Sequence, residues 1–283
     1  MVKKLYKQCQ KLNLEFEILV FDDGSKEKFK EKNSVLNSIF GVNYMEMSEN
    51  LGRSRIRNWL VKSALYEYVI ILDCDSKISK KDFVKKYLEQ LEPNSVINGG
   101  RQYSPKPPKA KSKYLHWLYG TKVESKKSKV RSKSPHLYFH SNNFAADRKV
   151  MEEFPFDEEI KTYGYEDLLF AQNLIDHNIK VKHIDNPVIH LGLEKNKSFV
   201  EKNLEAISNL IQLKEDGHHL NTNLEQKAFM LNDWSLDNMT FKMLDKRKDD
   251  FKKNLMGEKP SLLKFQLLKL HRYLSEVNTT AQS

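Results

Sequence analysis

The sequence has few cysteines and no long apolar runs, and both shortages narrow the class of protein. Its 283 residues include two cysteines, Cys9 and Cys74, which form neither a CxxC pattern nor a disulfide framework, so a reducing compartment is expected. No run reaches about 18 apolar residues, so no membrane-spanning helix is predicted. The first residues lack the apolar core and small-residue cleavage site of a signal peptide. These features favour a cytoplasmic protein.

Other absences weigh against particular functions. The chain contains no internal repeat, no recognisable nucleic-acid-binding module, and no glycine-rich phosphate loop of the kind that uses a triphosphate donor. Its net charge of +10 favours a polyanionic partner, but charge alone does not distinguish nucleic acid from an anionic membrane or a phosphorylated small molecule. Because no nucleic-acid module accompanies the charge, we expect no nucleic-acid partner.

Short apolar runs alternate with helical patterns along the first part of the chain. This alternation predicts an α/β fold, a mostly parallel sheet flanked by helices. The predicted strands are residues 16–21, 42–47, 68–73, 95–100 and 180–185. The predicted helices include residues 54–67, 79–91 and 165–178, the second with Ser79 as N-cap and Asp82 at N3.

Composition divides the chain into a domain over residues 1–198 and a helical extension over 199–283. Residues 101–133 are crowded with Lys, Ser and Pro and predict a mobile basic loop, either a solvated insertion or a lid that binds the acceptor. The extension contains an amphipathic helix with a basic face at residues 262–274. Docking on the rest of the protein or a partner is one interpretation. Peripheral contact with the inner face of a membrane is the other.

Two carboxylates, Asp73 and Asp75, end the strand at 68–73. If the strand alternation continues through them, both lie on one side and Cys74 lies on the other, packed against a helix. Like charges on one side repel unless a cation joins them. The carboxyl end of such a strand is where ligands bind in open α/β sheets, and carboxylates suit Mg²⁺ or Mn²⁺. The alternative is a turn or N-cap pair that opens the next helix.

Polar and charged residues also follow the strand at 16–21. Asp22 and Asp23 precede Gly24, so they are either turn residues or acceptors for a ribose or base N–H. Arginines 53, 55 and 57 open the next helix, where positive charge does not suit the helix dipole. A bound diphosphate would offset that cost, whereas a solvated basic face is the alternative.

A second acidic pair and a histidine complete the candidate residues. Glu166 and Asp167 start a predicted helix, where they act as first-turn acids or supply a general base for an acceptor hydroxyl. His190 follows a predicted strand and is either structural or a third metal ligand.

In order and spacing, these motifs resemble the family 2 glycosyltransferases with the nucleotide-sugar-binding GT-A fold. The likeness lies in VFDDGS, ENLGRSRIRN, ILDCDS, SNNFAADRKV, TYGYEDLLFAQNL and VIHLG, over residues 1–195. The later motifs are most similar to the galactosyl- and N-acetylgalactosaminyl-transferring branch that includes chondroitin-type polymerases. The resemblance implies a Rossmann-like GT-A domain that transfers sugar from a UDP-sugar to a saccharide or glycan acceptor, with inversion at the anomeric carbon.

The resemblance also implies a role for each candidate residue. Asp22 and Asp23 would contact uridine, and Arg53 and Arg57 would face the diphosphate. Asp73, Asp75 and His190 would hold Mn²⁺ or Mg²⁺. Asn142 and Asn143 would lie near the donor sugar or acceptor, and the pair of Glu166 with Asp167 would carry the catalytic base, assigned to Asp167.

One departure from the family pattern concerns the beginning of the sequence. Members of the family usually begin with an apolar strand beside the one matching residues 16–21, whereas here residues 1–13 match the helix that follows it. We expect lower stability and weaker nucleotide binding than in a version with that strand. The alternatives to a glycosyltransferase are a nucleotidyltransferase of similar fold or an impaired nucleotide-sugar-binding protein.

Overall fold

The computed structural model describes residues 1–160, 164–218 and 220–280, which form two compact units. The first unit comprises Met1–Arg101, Lys126–Lys161 and Phe170–Ile189. The second comprises Gln102–Ser125, Thr162–Leu169 and His190–Ser283. The units therefore interleave along the chain. This grouping differs from the predicted division at residue 198, which stays a prediction.

The strands of the described residues form three small sheets. In chain order they are β1 (Ile18–Asp22), β2 (Val42–Glu46), β3 (Tyr68–Leu72), β4 (Ser76–Lys77), β5 (Ser95–Asn98), β6 (Arg101–Gln102), β7 (Asn143–Asp147), β8 (Lys180–His183) and β9 (Val188–His190). The sheet orders are β1-β2, β3-β7-β5-β8 and β4-β9-β6. The strands predicted within 16–21, 42–47, 68–73, 95–100 and 180–185 are confirmed, with shifts of at most two residues at their ends.

The strand directions correct the sequence prediction of a mostly parallel sheet. β1 pairs with β2 in parallel and β5 with β8 in parallel, whereas β7 runs antiparallel to both β3 and β5. In addition, β1 and β3 belong to different sheets, so the acids that follow them do not end adjacent strands. Alternating apolar residues predict where a strand lies, but they do not determine which strand it pairs with or in which direction.

The helices occupy much of the remaining chain. They are α1 (Val2–Lys11), α2 (Glu27–Ser34), α3 (Arg53–Lys62), α4 (Phe83–Leu88), α5 (Tyr114–Tyr119), α6 (Ser128–Arg131), α7 (Arg148–Glu153), α8 (Glu166–Asp176), α9 (Asn196–Glu215), α10 (Asn223–Asp233), α11 (Asp237–Asp245), α12 (Lys248–Met256) and α13 (Leu262–Thr280). The α/β class and the helical C-terminal region are thereby confirmed.

The predicted start of α4 at Ser79 is wrong, because the helix begins at Phe83. Gln8 of α1 explains the later start: its Nε2 donates to Lys80 O at 3.0 Å, and its Oε1 accepts from Val84 N at 3.0 Å. These are the two backbone groups that a longer helix would join to each other. A contact from α1 therefore replaces a hydrogen bond in the first turn of that longer helix.

Residues 101–133, predicted as a loop, contain α5 and α6 and two further short helical turns. Leu115, His116 and Arg131 from this segment are buried. The many lysines indicated a solvated segment, whereas some of its apolar residues and Arg131 are buried. Its mobility stays a prediction.

The four-stranded sheet of the first unit is buried on both faces. On β3, Val69 and Ile71 belong to one apolar cluster, while Ile70 and Leu72 pack against another. The first cluster includes Phe144, Phe156, Phe170 and Leu174, and the second includes Ile78, Phe83, Tyr87 and Ile97. Full burial of such side chains stabilises the fold by about 1.5–3 kcal/mol each. The packed sheet therefore fixes the end of β3 and the start of β7, next to which polar residues lie.

In the second unit, the apolar face of α13 is packed. Phe265 and Leu268 of α13 lie in a cluster with Leu115, Phe199 and Leu255. The helix therefore docks within its own unit, as the first of the two interpretations expected, and the structure offers no support for membrane contact through its apolar face. Across the described ranges, no helix is both long and apolar enough to cross a membrane.

Candidate functional site

Asp22, the last residue of β1, is buried and engaged by two neighbours. Its Oδ1 accepts from Ser25 N at 2.7 Å, which closes the turn after the strand. Its Oδ2 accepts from Tyr44 OH of β2 at 3.1 Å. Burial and the Asp22 carboxylate raise the pKa of Tyr44, so the hydroxyl keeps its proton and donates. Asp22 is therefore a turn residue, which was one of its two interpretations. Its contact with a nucleoside stays a prediction.

Asp23 connects this turn to the start of α3. Its Oδ1 accepts from Leu51 N at 2.6 Å and its Oδ2 accepts from Gly52 N at 3.1 Å. Gly52 is the N-cap residue of α3 and has φ +82°, a conformation that favours glycine. The Asp23 carboxylate therefore accepts from two backbone N–H groups next to the N-terminus of α3. That N-terminus is where the sequence pattern predicted a bound diphosphate.

Asp73 and Asp75 lie on a turn after β3. The strand ends at Leu72, and Ser76 N donates to Asp73 O at 3.1 Å. Strand alternation therefore does not reach the two acids, and the prediction that Cys74 packs against a helix is wrong, because Cys74 is exposed. Partial desolvation and the carboxylates of Asp75 and Asp73 raise the pKa of the Cys74 thiol, which disfavours its thiolate as a ligand.

Arg57 is the buried member of the arginine triplet, whereas Arg53 and Arg55 are exposed. Its Nη2 donates to Asp73 Oδ1 at 3.0 Å, and its guanidinium lies 5.4 Å from the centre of the Phe156 ring. Its Nη1 is buried and has no hydrogen-bond partner among the described residues. A buried donor without a partner costs about 1–3 kcal/mol, so an acceptor atom supplied by a ligand would relieve that cost.

Asn142 brings a second donor of this kind to Asp73. Its backbone O accepts from Asp73 N at 3.2 Å, and its side-chain Oδ1 accepts from Arg101 Nε at 3.2 Å. Its Nδ2 is buried and finds no partner in the described ranges. Arg57 and Asn142 therefore each keep one buried N–H group available for a ligand, and each contacts Asp73.

Asn143, the first residue of β7, is fully engaged instead. Its Oδ1 accepts from Tyr87 OH at 2.7 Å, and its Nδ2 donates to Gly100 O and Asn186 O, both at 2.9 Å. Its exposed fraction is 0 %. The structure thus brings Asn142 and Asn143 to the same place but gives them different tasks: Asn142 is available to a ligand, and Asn143 holds the backbone around it.

Three residues of the site were not predicted from the sequence: Arg101 and Tyr87, which hold Asn142 and Asn143, and Tyr44, which holds Asp22. The Gly99-Gly100 pair was a usable signal, because two glycines after a strand indicate a close backbone approach. A Cβ atom at Gly99 would lie 2.2 Å from Tyr87 OH and 2.5 Å from Asn143 Nδ2. No sequence signal indicated the tyrosine hydroxyls, since their partners are distant in the chain.

Glu166 and Asp167 belong to the second unit, at the start of α8. Glu166 Oε2 accepts from Gly164 N at 3.1 Å, and Gly164 O accepts from Asn209 Nδ2 of α9 at 2.6 Å. Tyr165 lies between Gly164 and Glu166 and has φ +70°. This conformation is unusual for an aromatic residue, and such strained residues cluster at functional sites. Thr162 and Tyr163 of the same motif lie outside the described residues.

His190, the last residue of β9, also belongs to the second unit. Its ring centroid lies 5.5 Å from the rings of Tyr103 and His116. Within the described ranges, no group of three or more His, Cys, Asp or Glu side chains is arranged as a metal site. The carboxylates of Asp73 and Asp75 are hard oxygen donors, so they fit a divalent cation whose remaining ligands are water and phosphate.

Taken alone, the first unit offers a place for an anion beside two acids. The buried donors of Arg57 and Asn142 suit phosphate or hydroxyl oxygens, whereas Asp73 and Asp75 suit a cation. A metal–diphosphate group carries both kinds of charge.

Comparison with known proteins finds one matching family and several similar proteins. Residues 1–154, just over half of the chain, match the family described as Glycosyl transferase family 2. A chondroitin synthase from Escherichia coli is 28 % identical over 199 residues, which cover 58 % of this chain and 28 % of that protein. A chondroitin synthase from Pasteurella multocida is 26 % identical over 207 residues, covering 62 % and 21 %. The chain spans about a quarter of the length of these relatives.

Solved structures give more distant likenesses. Residues 1–349 of Staphylococcus aureus TarS in complex with UDP are 15 % identical at a TM-score of 0.48, covering 100 % of this chain and 86 % of that one. A mannosyltransferase from Pyrobaculum calidifontis, in complex with GDP-Man and Mn²⁺, is 14 % identical at a TM-score of 0.46, covering 69 % and 55 %.

Proposed function

The chain belongs to glycosyl transferase family 2, and from this premise we propose that it transfers a hexose or N-acetylhexosamine from a UDP-sugar to a saccharide or glycan acceptor. The similarity to chondroitin synthases supports this class of sugar. We further propose that the transfer depends on a divalent cation and inverts the anomeric carbon.

One observation carries the proposal: two buried donors contact the acid that would lie beside the diphosphate. Arg57 reaches Asp73 through Nη2 and keeps Nη1 available, and Asn142 contacts the backbone of Asp73 and keeps Nδ2 available. Oxygens of a sugar diphosphate would satisfy both donors. Because charge-assisted hydrogen bonds are stronger in a buried site, Arg57 would stabilise the negative charge that develops on the departing UDP.

Asp73 and Asp75 would hold Mn²⁺ or Mg²⁺ in this proposal, with diphosphate oxygens and water as further ligands. We propose His190 as a further ligand of the cation. Bound there, the cation would neutralise charge on the leaving diphosphate. The tasks of the protein are to aim the two carboxylates and to keep Arg57 paired with Asp73 beside them. Asp22 and Asp23 are the proposed contacts of the uridine.

Asp167 is the proposed catalytic base, with Glu166 as its neighbour in the acidic pair. In a single displacement, the acceptor oxygen forms a bond to the anomeric carbon while the bond from that carbon to the diphosphate breaks. The acceptor proton passes to Asp167 and UDP leaves with the electron pair. The turn at Gly164 and Tyr165, held by Asn209 within its unit, would fix where α8 presents this acid.

A donor screen tests the proposal. UDP-Gal, UDP-GalNAc, UDP-Glc and UDP-GlcNAc are incubated separately with the protein and Mn²⁺, and released UDP is measured. We expect release from at least one donor, loss of release with EDTA, and recovery when Mn²⁺ is added in excess. Asp75→Ala is expected to release no UDP. Release that persists unchanged in EDTA would contradict the metal-dependent mechanism.

A further inference from the structure

Arg131 is among the most deeply buried residues of the first unit, with 1 % of its surface exposed. It ends α6, within the lysine-rich segment that the sequence suggested was solvated. Burial lowers the pKa of its guanidinium, and the nearby Asp185 carboxylate opposes that shift. Burying a charged group is costly unless its donors are satisfied, so its hydrogen bonds indicate its task.

The guanidinium of Arg131 holds the ends of two neighbouring strands. Nη1 donates to Asn98 Oδ1 at 2.9 Å and to Asn98 O at 3.3 Å, at the end of β5. Nη2 donates to Gly99 O at 3.3 Å and to Ile184 O at 2.6 Å, just beyond β5 and β8. Nε donates to Lys126 O at 3.2 Å, which closes its own segment. A planar fork of donors fits this set of carbonyls, and a lysine ammonium does not reproduce it.

The two glycines next to these carbonyls leave the space that the Arg131 guanidinium occupies. Gly100 has φ +85°, and a Cβ atom there would lie 2.7 Å from Arg131 Nη2. On the other side of the same turn, a Cβ atom at Gly99 would lie 2.5 Å from Asn143 Nδ2. The Gly99-Gly100 turn is therefore held between Arg131 and Asn143, with glycine at both positions because no larger residue fits.

The turn leads directly to the candidate donor site. Asn143 Nδ2 donates to Gly100 O at 2.9 Å, and Gly99 N donates to Asn143 O at 3.1 Å. Arg101 follows Gly100 and donates to Asn142 Oδ1 at 3.2 Å, which directs Asn142 Nδ2. Arg131, the turn, Asn143 and Asn142 thus form one continuous set of contacts that ends at Asp73.

We propose that Arg131 is a positioning residue for the donor sugar: by fixing the Gly99-Gly100 turn, it sets the placement of Arg101 and, through Arg101, that of Asn142 beside Asp73. The inference rests on the proposed function, because it assumes that a UDP-sugar binds there. Arg131 itself touches no substrate. Its removal would displace groups near the sugar more than those at the uridine, since Asp22 and Asp23 lie on other elements.

The first test needs no ligand. Hydrogen exchange of Arg131→Lys and wild type is compared by mass spectrometry, with Val150→Ala as a control that disturbs the core of the same unit. We expect faster exchange in peptides covering residues 98–101 and 141–144 of Arg131→Lys, with peptides from β1 and β2 unchanged. Val150→Ala is expected to leave residues 98–101 and 141–144 as in wild type. Unchanged exchange at those residues in Arg131→Lys would overturn the inference.

The second test separates positioning from general stability. Affinities for UDP and for a UDP-sugar are measured with Mn²⁺ in wild type and both variants. Arg131→Lys is expected to weaken UDP-sugar binding about tenfold or more while changing UDP binding less than about threefold, since a small displacement of positioning groups has effects of this order. Val150→Ala is expected to keep the ratio of the two affinities. A wild-type ratio in Arg131→Lys would overturn the inference, whereas a wild type that binds no UDP would contradict the proposed function instead.

Discussion

Arg57 and Asp73 are joined by a hydrogen bond of 3.0 Å from Nη2 to Oδ1, which connects α3 to the turn after β3. The pair is unequally buried, because 6 % of the Arg57 side chain and 38 % of the Asp73 side chain are exposed. The arginine is thus fixed in the protein while the carboxylate remains accessible. This relationship places a positive and a negative group where a metal–diphosphate would need both.

Arg57→Met is expected to weaken Mn²⁺-dependent UDP binding by about 10- to 100-fold, because a hydrogen bond to a charged group contributes about 1.5–3 kcal/mol. Arg55→Met, two residues away on the same helix, removes the same charge from an exposed side chain that bonds Glu158. Isothermal titration of UDP into both variants compares them. Equal losses of affinity would mean that only net charge matters and would contradict a specific role for Arg57.

Tyr87→Phe is expected to lower the free energy of unfolding by about 1–3 kcal/mol. The change removes the hydroxyl that donates to Asn143 Oδ1 at 2.7 Å and leaves that buried acceptor without its donor. Urea unfolding provides the measurement. Tyr66→Phe changes an exposed tyrosine and serves as the control, with an expected effect near zero. Equal stability of wild type and Tyr87→Phe would show that the hydroxyl does not support the network around Asn143.

His183 is expected to make stability fall in mild acid. Burial and the Arg131 charge lower the pKa of His183 to about 4. Its Nδ1 accepts from Arg131 Nη1 and its Nε2 lies 3.0 Å from Pro135 O, so the neutral ring satisfies both contacts. The unfolded chain takes up the proton near pH 6.5. This contribution is therefore complete above about pH 6.5 and decreases as the pH falls towards 4.

The lowered pKa of His183 corresponds to a loss of up to about 3 kcal/mol in the free energy of unfolding as the pH falls from about 6.5 to 4. Urea unfolding of wild type and His183→Gln at pH 7.5 and pH 5 measures it. The stability advantage of wild type is expected to shrink at pH 5, because the variant has no group that titrates at this position. A constant difference between the two proteins at both pH values would contradict the assignment.

Local signals in the sequence predicted much of the first unit. The strand from Tyr68 to Leu72 is an apolar run and could be located without a structure, whereas a turn at the acids after it was only the alternative to a continued strand. The start of α4 could not, because Gln8 competes for the backbone groups at Lys80 and Val84. The antiparallel direction of β7 was equally hidden, since its partners β3 and β5 are distant in sequence.

Only part of the candidate site could likewise be predicted from the sequence. Residue type and spacing indicated Asp73, Asp75 and Arg57 as candidates, because paired carboxylates after a strand and arginines at a helix start are unusual. Asn142 was indicated only by the family resemblance. Arg131 carried no such signal: it lies among lysines and serines, and its burial depends on carbonyl groups near residues 98 and 184 that only the folded chain brings to it. Expectations about the strand that the family places before α1 stay predictions.

Titration of UDP into the wild-type protein, in Mn²⁺ and again in EDTA, tests the central claim most directly. A diphosphate held through a cation on Asp73 and Asp75 predicts saturable binding in Mn²⁺ that is lost in EDTA. The same loss is expected for Asp75→Ala in Mn²⁺, provided that its unfolding transition matches wild type. Equal UDP affinity of the wild type in Mn²⁺ and in EDTA would contradict the account.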